Sequence, residues 1–230
     1  MNDMSMTAAL AKFMLREYYR ATGLACETLT ACLFIFLFSD HYWLLKPFDI
    51  YFGLGMFAVT ASFLTTYRVA GREANSRIYI ILTKKVSRRQ YLLAKLEASF
   101  AIVAAATAGL FILGYCLCDI RSSFSFVEAA LRLIPIYVAA LAVAAITLFF
   151  SKIVYSNMIS AIVLIIFSFA HPPGFLNYIL PPVQQLIKMS FNVFEPYGLI
   201  YVFWGVLCAA FFYAAAVRVF RARELNFDSD

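Results

Sequence analysis

The sequence predicts an all-α integral membrane protein of six transmembrane helices, and three observations carry that expectation. Of the 230 residues, 63% are hydrophobic and 14% charged, against roughly 45–50% and about 25% in soluble domains. Mean hydropathy is +0.81. Apolar runs near the ~20 residues needed to cross a bilayer fall at residues 24–39, 48–69, 97–118, 133–150, 154–170 and 199–217. With both termini on one side, fifteen of the 19 Lys and Arg fall on that side, leaving Lys46, Arg121, Arg132 and Lys188 on the other. The positive-inside rule makes the richer side cytoplasmic. Residues 1–230 therefore read as a single multi-pass domain of a plasma membrane, with a bacterial inner membrane the expected setting. The net charge of +6 is not gathered on a soluble face, so nucleic acid is not an expected partner.

Residues 1–22 are expected to form an amphipathic elbow helix. Leu10, Phe13, Met14 and Tyr18 share one face, while Lys12, Arg16 and Arg20 recur at four-residue steps on another, the pattern of a helix lying on an anionic leaflet. Glu17 intrudes on the apolar side, so a solvated extension of span one is the alternative. The segment is too polar, and the first apolar run too long and without a small-residue cleavage site, for a removable signal peptide. Span one carries Glu27 about a turn inside its cytoplasmic end, where snorkelling or a basic partner accommodates the charge. His41, Tyr42, Trp43 and Tyr51 mark the outer interface, where amphipathic rings settle.

Span two places Gly55, Val59, Ser62 and Thr66 in one stripe. Span five places Asn157, Ala161, Leu164 and Ser168 in another, with Ser160 beside it. Small and hydroxyl residues at this spacing pack helices together in lipid. The alanines of spans three and four, such as Ala101, Ala105, Ala140 and Ala144, are expected to do the same.

Between spans two and three, residues 71–96 form the one polar, strongly basic interruption. Ser87 and Gln90 make an S-x-x-Q capping box, and Val86 with Tyr91 occupies the positions of a hydrophobic staple, so a helix is expected to begin at Arg88. No Gly or Pro follows until Gly109, and that helix can run from water into the membrane as one rod. Ahead of the cap, Ile78, Ile81 and Leu82 share one face of a short helix with Arg77, Lys84 and Lys85 at its margins. An amphipathic helix on a cytoplasmic loop needs a surface to dock on.

His171-Pro172-Pro173-Gly174 must end span five, and Pro181-Pro182 makes a second break. Val183, Leu186, Ile187, Ser190, Phe191 and Phe194 then recur at three and four residues, before Glu195-Pro196-Tyr197-Gly198 restarts the chain. Residues 171–198 thus read as an external re-entrant hairpin resting in the outer leaflet. The five cysteines are odd in number and lie in or at the ends of spans, as packing residues do. A soft-metal site from Cys116, Cys118, His41 and His171 is the alternative.

None of the nine glycines is followed by Lys, so the chain has no Walker A phosphate loop. It has no G-x-S-x-G or H-E-x-x-H motif either, and no paired intramembrane carboxylates.

The polar loop and the span order resemble the transmembrane subunits of ATP-binding-cassette (ABC) exporters of the type-2 class. In that family the loop after the second span carries a Glu, a short helix, and then a pattern close to L-x-x-P-V-S-R followed by a Lys about a turn and a half later. Here Glu73, Leu82, Val86-Ser87-Arg88 and Lys95 stand in that order, with Lys85 where the family commonly has Pro. The resemblance implies a permease whose ATPase-coupling residues are Glu73, Ile78, Ile81, Leu82, Ser87 and Arg88. It also implies that spans two and five line a substrate pathway between two copies, at Gly55, Val59, Ser62, Thr66, Asn157, Ser160 and Ser168. The expected partners are a cytoplasmic ABC ATPase subunit, which would hold ATP and Mg, a second permease copy, and membrane lipids; no cofactor is expected in this chain. The spans carry no charged midplane site, which favours a lipid-like, peptide-like or amphipathic cargo over a small ion. A membrane-embedded lipid-modifying enzyme would need convergent polar groups inside the bilayer. A six-span scaffold or secondary transporter would be marked by internal repeats or broken midplane helices. The sequence shows neither signature.

Overall fold

The computed structural model describes residues 3–20, 23–38, 47–71, 86–117, 120–170, 180–191 and 196–222. Among them the chain is helical throughout, without a strand. In chain order the helices are α1 (Asp3–Arg20), α2 (Gly23–Phe38), α3 (Pro47–Gly71), α4 (Arg88–Leu117), α5 (Ile120–Ser123), α6 (Phe126–Leu131), α7 (Ile134–Phe149), α8 (Met158–Ala170), α9 (Val183–Met189) and α10 (Pro196–Ala222).

Among the described residues, four stretches are long and apolar enough to cross a membrane: Phe48–Gly71, Arg88–Cys116, Phe126–Phe149 and Gly198–Ala222. The expected first and fifth spans are shorter among the described residues. At 16 and 13 residues, α2 and α8 reach about 24 and about 20 Å, less than the ~30 Å hydrocarbon core. The fifth run was expected to begin at residue 154, yet α8 begins at Met158. Residues 150–157 form a tight turn instead, with Ser156 in the left-handed region at φ 56° and its amide donating to Ser151 O at 2.8 Å.

The direction of the helices follows from a few contacts. The Tyr51 hydroxyl donates to Ala129 O at 2.8 Å, and Ser62 Oγ donates to Ala140 O at 2.6 Å. Both bonds join residues 78 apart in sequence, so α3 and the α6–α7 rod run parallel. Helix α4 begins beside the last turns of both α3 and α10 and therefore runs against them. The end of the bundle where these three meet carries Arg68, Arg88, Arg89, Lys95, Arg218 and Arg221 and is called the basic end.

Helix α7 is the centre of the bundle. It is hydrophobic all round, and Ala142 to Leu148 are buried without interruption, as a helix enclosed on every side requires. Its alanines let α3 and α10 approach closely. Thr147 satisfies its hydroxyl by donating to Val143 O at 2.7 Å. The α6–α7 rod breaks at Arg132 and Leu133 because Pro135, in the first turn of α7, has no amide to continue the ladder.

Helix α9 fills a notch rather than lying on the surface. Val183, Leu186 and Ile187 are buried against Val59, Ala139, Val143 and Ala161. Two glycines make the space: a Cβ on Gly55 would sit 2.7 Å from Ile187, and one on Gly205 would sit 2.7 Å from Val138 and 2.9 Å from Leu186. Val183, Leu186, Ile187 and Ser190 of the expected external hairpin are thus embedded in the bundle while Lys188 is exposed; of 171–198, residues 171–179 and 192–195 lie outside the described residues.

Helix α1 corrects one expectation. The buried stripe is Thr7, Ala11, Met14 and Tyr18, of which Ala11, Met14 and Tyr18 cluster with residues of α4, whereas Phe13 is 51% exposed. Phe13 is rotated about 100° from Met14 on the helix, which turns it away from the seam with α4. Lys12, Arg16 and Arg20 are exposed, as the amphipathic pattern predicts.

Candidate functional site

The site is the basic end, where the two flanks of the polar loop leave and re-enter the bundle. Its organiser is the first turn of α4. Ser87 Oγ accepts from the Gln90 amide at 3.2 Å, and Gln90 Oε1 accepts from the Ser87 amide at 2.9 Å. This is the reciprocal capping box that the sequence predicts. Val86 packs on the cluster that holds the buried Tyr91, in the manner of a staple. From this cap α4 continues unbroken for 30 residues, about 45 Å.

Two cations on α4 grip the ends of two other helices. Lys95 is 1% exposed, donates to Val69 O at 2.6 Å, and lies 5.0 Å from the centre of the Tyr91 ring. Val69 is in the last turn of α3, whose final carbonyls have no partner within the helix and carry the negative end of its dipole. Arg88 does the same for α10. Its Nη1 donates to Phe220 O at 2.9 Å and Arg221 O at 3.0 Å, and its guanidinium lies over the Phe220 ring. The Tyr213 hydroxyl of α10 donates back to Arg89 O at 3.2 Å. Tyr91 and Phe220 stack at 6.2 Å. The last turns of α3 and α10 and the first turns of α4 are therefore one cross-linked block.

Tyr18 joins α1 to the same end through side-chain hydrogen bonds with Thr65 and Glu27, near the charge of Arg68. Burial raises the pKa of its hydroxyl, with the nearby Glu27 charge adding to the shift. The Tyr18 hydroxyl donates to the Glu27 carboxyl, at the position where the sequence suggested snorkelling or a basic partner.

Of the expected coupling residues, the structure brings Ser87 and Arg88 into this block. Glu73, Ile78, Ile81 and Leu82 lie outside the described residues. The expected pathway residues are distributed by packing. Gly55 and Val59 face α9, and Ser62 is buried on α7. Thr66 is buried toward the end of α3. On α8, Ser168 is buried and donates to Leu164 O at 2.7 Å. Asn157 precedes α8, where its Oδ1 accepts from the Ser160 amide at 3.2 Å, a capping role. Cys116 and Cys32 are exposed and Cys208 is buried; Cys118, His41 and His171 lie outside the described residues.

At the opposite end Arg132, 7% exposed, plays a part the sequence reading did not assign. It pairs with Glu128 at 2.9 Å, donates to Phe191 O, and lies 4.0 Å from the centre of the Phe124 ring. It fastens the segment after α9 to the break between α6 and α7. An arginine four residues after a glutamate and three before a proline was the available signal. Searches against protein-family models, curated proteins and solved structures each returned no match.

Proposed function

We propose that this chain is the permease subunit of an ABC exporter of the type-2 class, working as a pair of copies with a separate cytoplasmic ATPase that binds ATP and Mg. The supporting observation is the cross-linked block at the basic end. A loop that merely connects two spans has no need to tie both its flanks to each other and to the terminal helix. Here Lys95 ties α4 to α3, and Arg88 ties α4 to α10. Force applied to residues 72–85 would therefore reach three helices together.

In this reading Ile78, Ile81 and Leu82 dock on the ATPase, and Glu73 steadies the start of the segment. Closure of the ATPase on ATP pushes the loop, and the α4 rod carries the motion across the bilayer. The basic end is cytoplasmic, and α2 and α8 complete six spans, with local bilayer thinning taking up their shortness. The pathway lies where two copies meet, along α8 and the face of α3 turned away from α7 and α9, and passes an amphipathic cargo.

The test is affinity isolation of the full chain from its native membranes in a mild detergent. The reading expects an equimolar polypeptide with ATPase activity and a Walker A motif to accompany it, together with a second permease copy. Recovery of the chain alone, fully folded and without any nucleotide-hydrolysing partner, would contradict it.

A further inference from the structure

We infer that the basic end of α10 holds an anionic phospholipid in a groove between α10 and the start of α4. The groove has a volume of about 640 Å³ and is lined by Arg89, Tyr213, Ala214, Val217, Arg218 and Arg221. Its three guanidinium groups come from two helices. Tyr213 fixes their relation by donating to the backbone carbonyl of Arg89.

What lies next to the arginines identifies the ligand. Ile200, Phe203, Leu207, Phe211, Ala214 and Arg218 follow one another at three- and four-residue steps on α10, and all are exposed. They form one face of the helix. An apolar strip thus runs along a membrane-length helix and ends in arginines. A phospholipid presents the same order, hydrocarbon and then phosphate, on the same axis. Arginine suits the head because its planar fork matches phosphate oxygens. A free phosphate would leave the apolar strip unused.

A second copy of the chain is the other candidate occupant, and charge argues against it. A two-fold contact sets a patch against itself, which would bring three arginines onto three. Among the described residues Glu97 lies near Tyr213 and offsets one of those charges. The lipid site goes beyond the permease reading and does not depend on it.

The experiment is native mass spectrometry of the full-length chain, released from a neutral detergent and titrated with phosphatidylglycerol or phosphatidylcholine. The expected result is a one-to-one phosphatidylglycerol adduct, with phosphatidylcholine at least tenfold weaker. Arg218→Gln and Arg221→Gln should each weaken it about fivefold, while Arg121→Gln, at an exposed cation outside the groove, should not. Ala214→Trp, which fills the groove but keeps every charge, should also weaken it. Millimolar inorganic phosphate should not displace the lipid. The inference is overturned if the two lipids bind equally, if the groove variants bind as wild type does, or if inorganic phosphate competes fully. Melting curves of each variant in the same detergent separate loss of the site from loss of the fold.

Discussion

Lys95 Nζ of α4 lies 2.6 Å from the carbonyl oxygen of Val69 in the last turn of α3. The two residues lie on either side of residues 72–85, so this bond ties the two ends of that segment together. A hydrogen bond from a charged donor contributes about 1.5–3 kcal/mol, and burial beside Tyr91 removes competing water.

Lys95→Met keeps the length of the side chain and removes the cation. It should lower stability by about 1.5–3 kcal/mol and loosen the end of α3. The measurement is reversible unfolding of wild type and variant in mixed micelles, with hydrogen exchange of residues 66–71 as the local reading. Faster exchange there, with the far end of α3 unchanged, is the expected pattern. Unchanged protection would place the bond outside the forces that hold α3.

Ser87→Ala removes the acceptor that caps the Gln90 amide, at a cost of about 1 kcal/mol. That is too little to unfold the bundle. Expression and insertion should remain at wild-type levels while transport falls, because the first turn of α4 also positions Arg88. A parallel loss of expression and transport would make the cap structural only.

Gly55→Ala should be poorly tolerated, because the new Cβ meets Ile187 at 2.7 Å. Overpacking of this kind costs about 1–3 kcal/mol. Ile187→Ala opens the space, and the double variant should be more stable than the two single changes predict by addition. The readout is a double-mutant cycle of unfolding free energies. Additive losses would show that α9 does not seat on Gly55.

The parts of this protein that were legible in the sequence are those written in local signals. The Ser87–Gln90 box, the α4 rod, the exposed basic face of α1 and the apolar runs that became α3, α4, the α6–α7 rod and α10 all depend on residues within one or two turns of each other. What was not legible depends on contacts between distant segments. Gly55 and Gly205 belong to different helices, and only the fold shows that both make room for α9. Periodicity groups Phe13 with Met14, but the seam with α4 follows Ala11, Met14 and Tyr18. A lysine among Leu92, Leu93, Ala94 and Leu96 is conspicuous, yet its acceptor at Val69 is 26 residues away. By spacing alone the stripe of span two suits both packing and a pathway. Gly55, Val59 and Ser62 pack within the chain itself, because α7 and α9 lie on that face.

Whether residues 72–85 receive force from a separate ATPase is decided by Leu82→Asp. If Leu82 enters an apolar groove on that subunit, the variant buries an unpaired carboxylate there, and binding should fall about tenfold or more. The loop lies outside the apolar helices, so insertion should be unaffected. The measurement is the amount of ATPase subunit that co-purifies per permease chain from cells expressing wild type or Leu82→Asp at equal levels. Wild type should retain the ATPase in equimolar amount, and Leu82→Asp should lose it while remaining monodisperse. Equal retention of the ATPase by both proteins would contradict the coupling assignment and leave the basic loop as a positive-inside anchor.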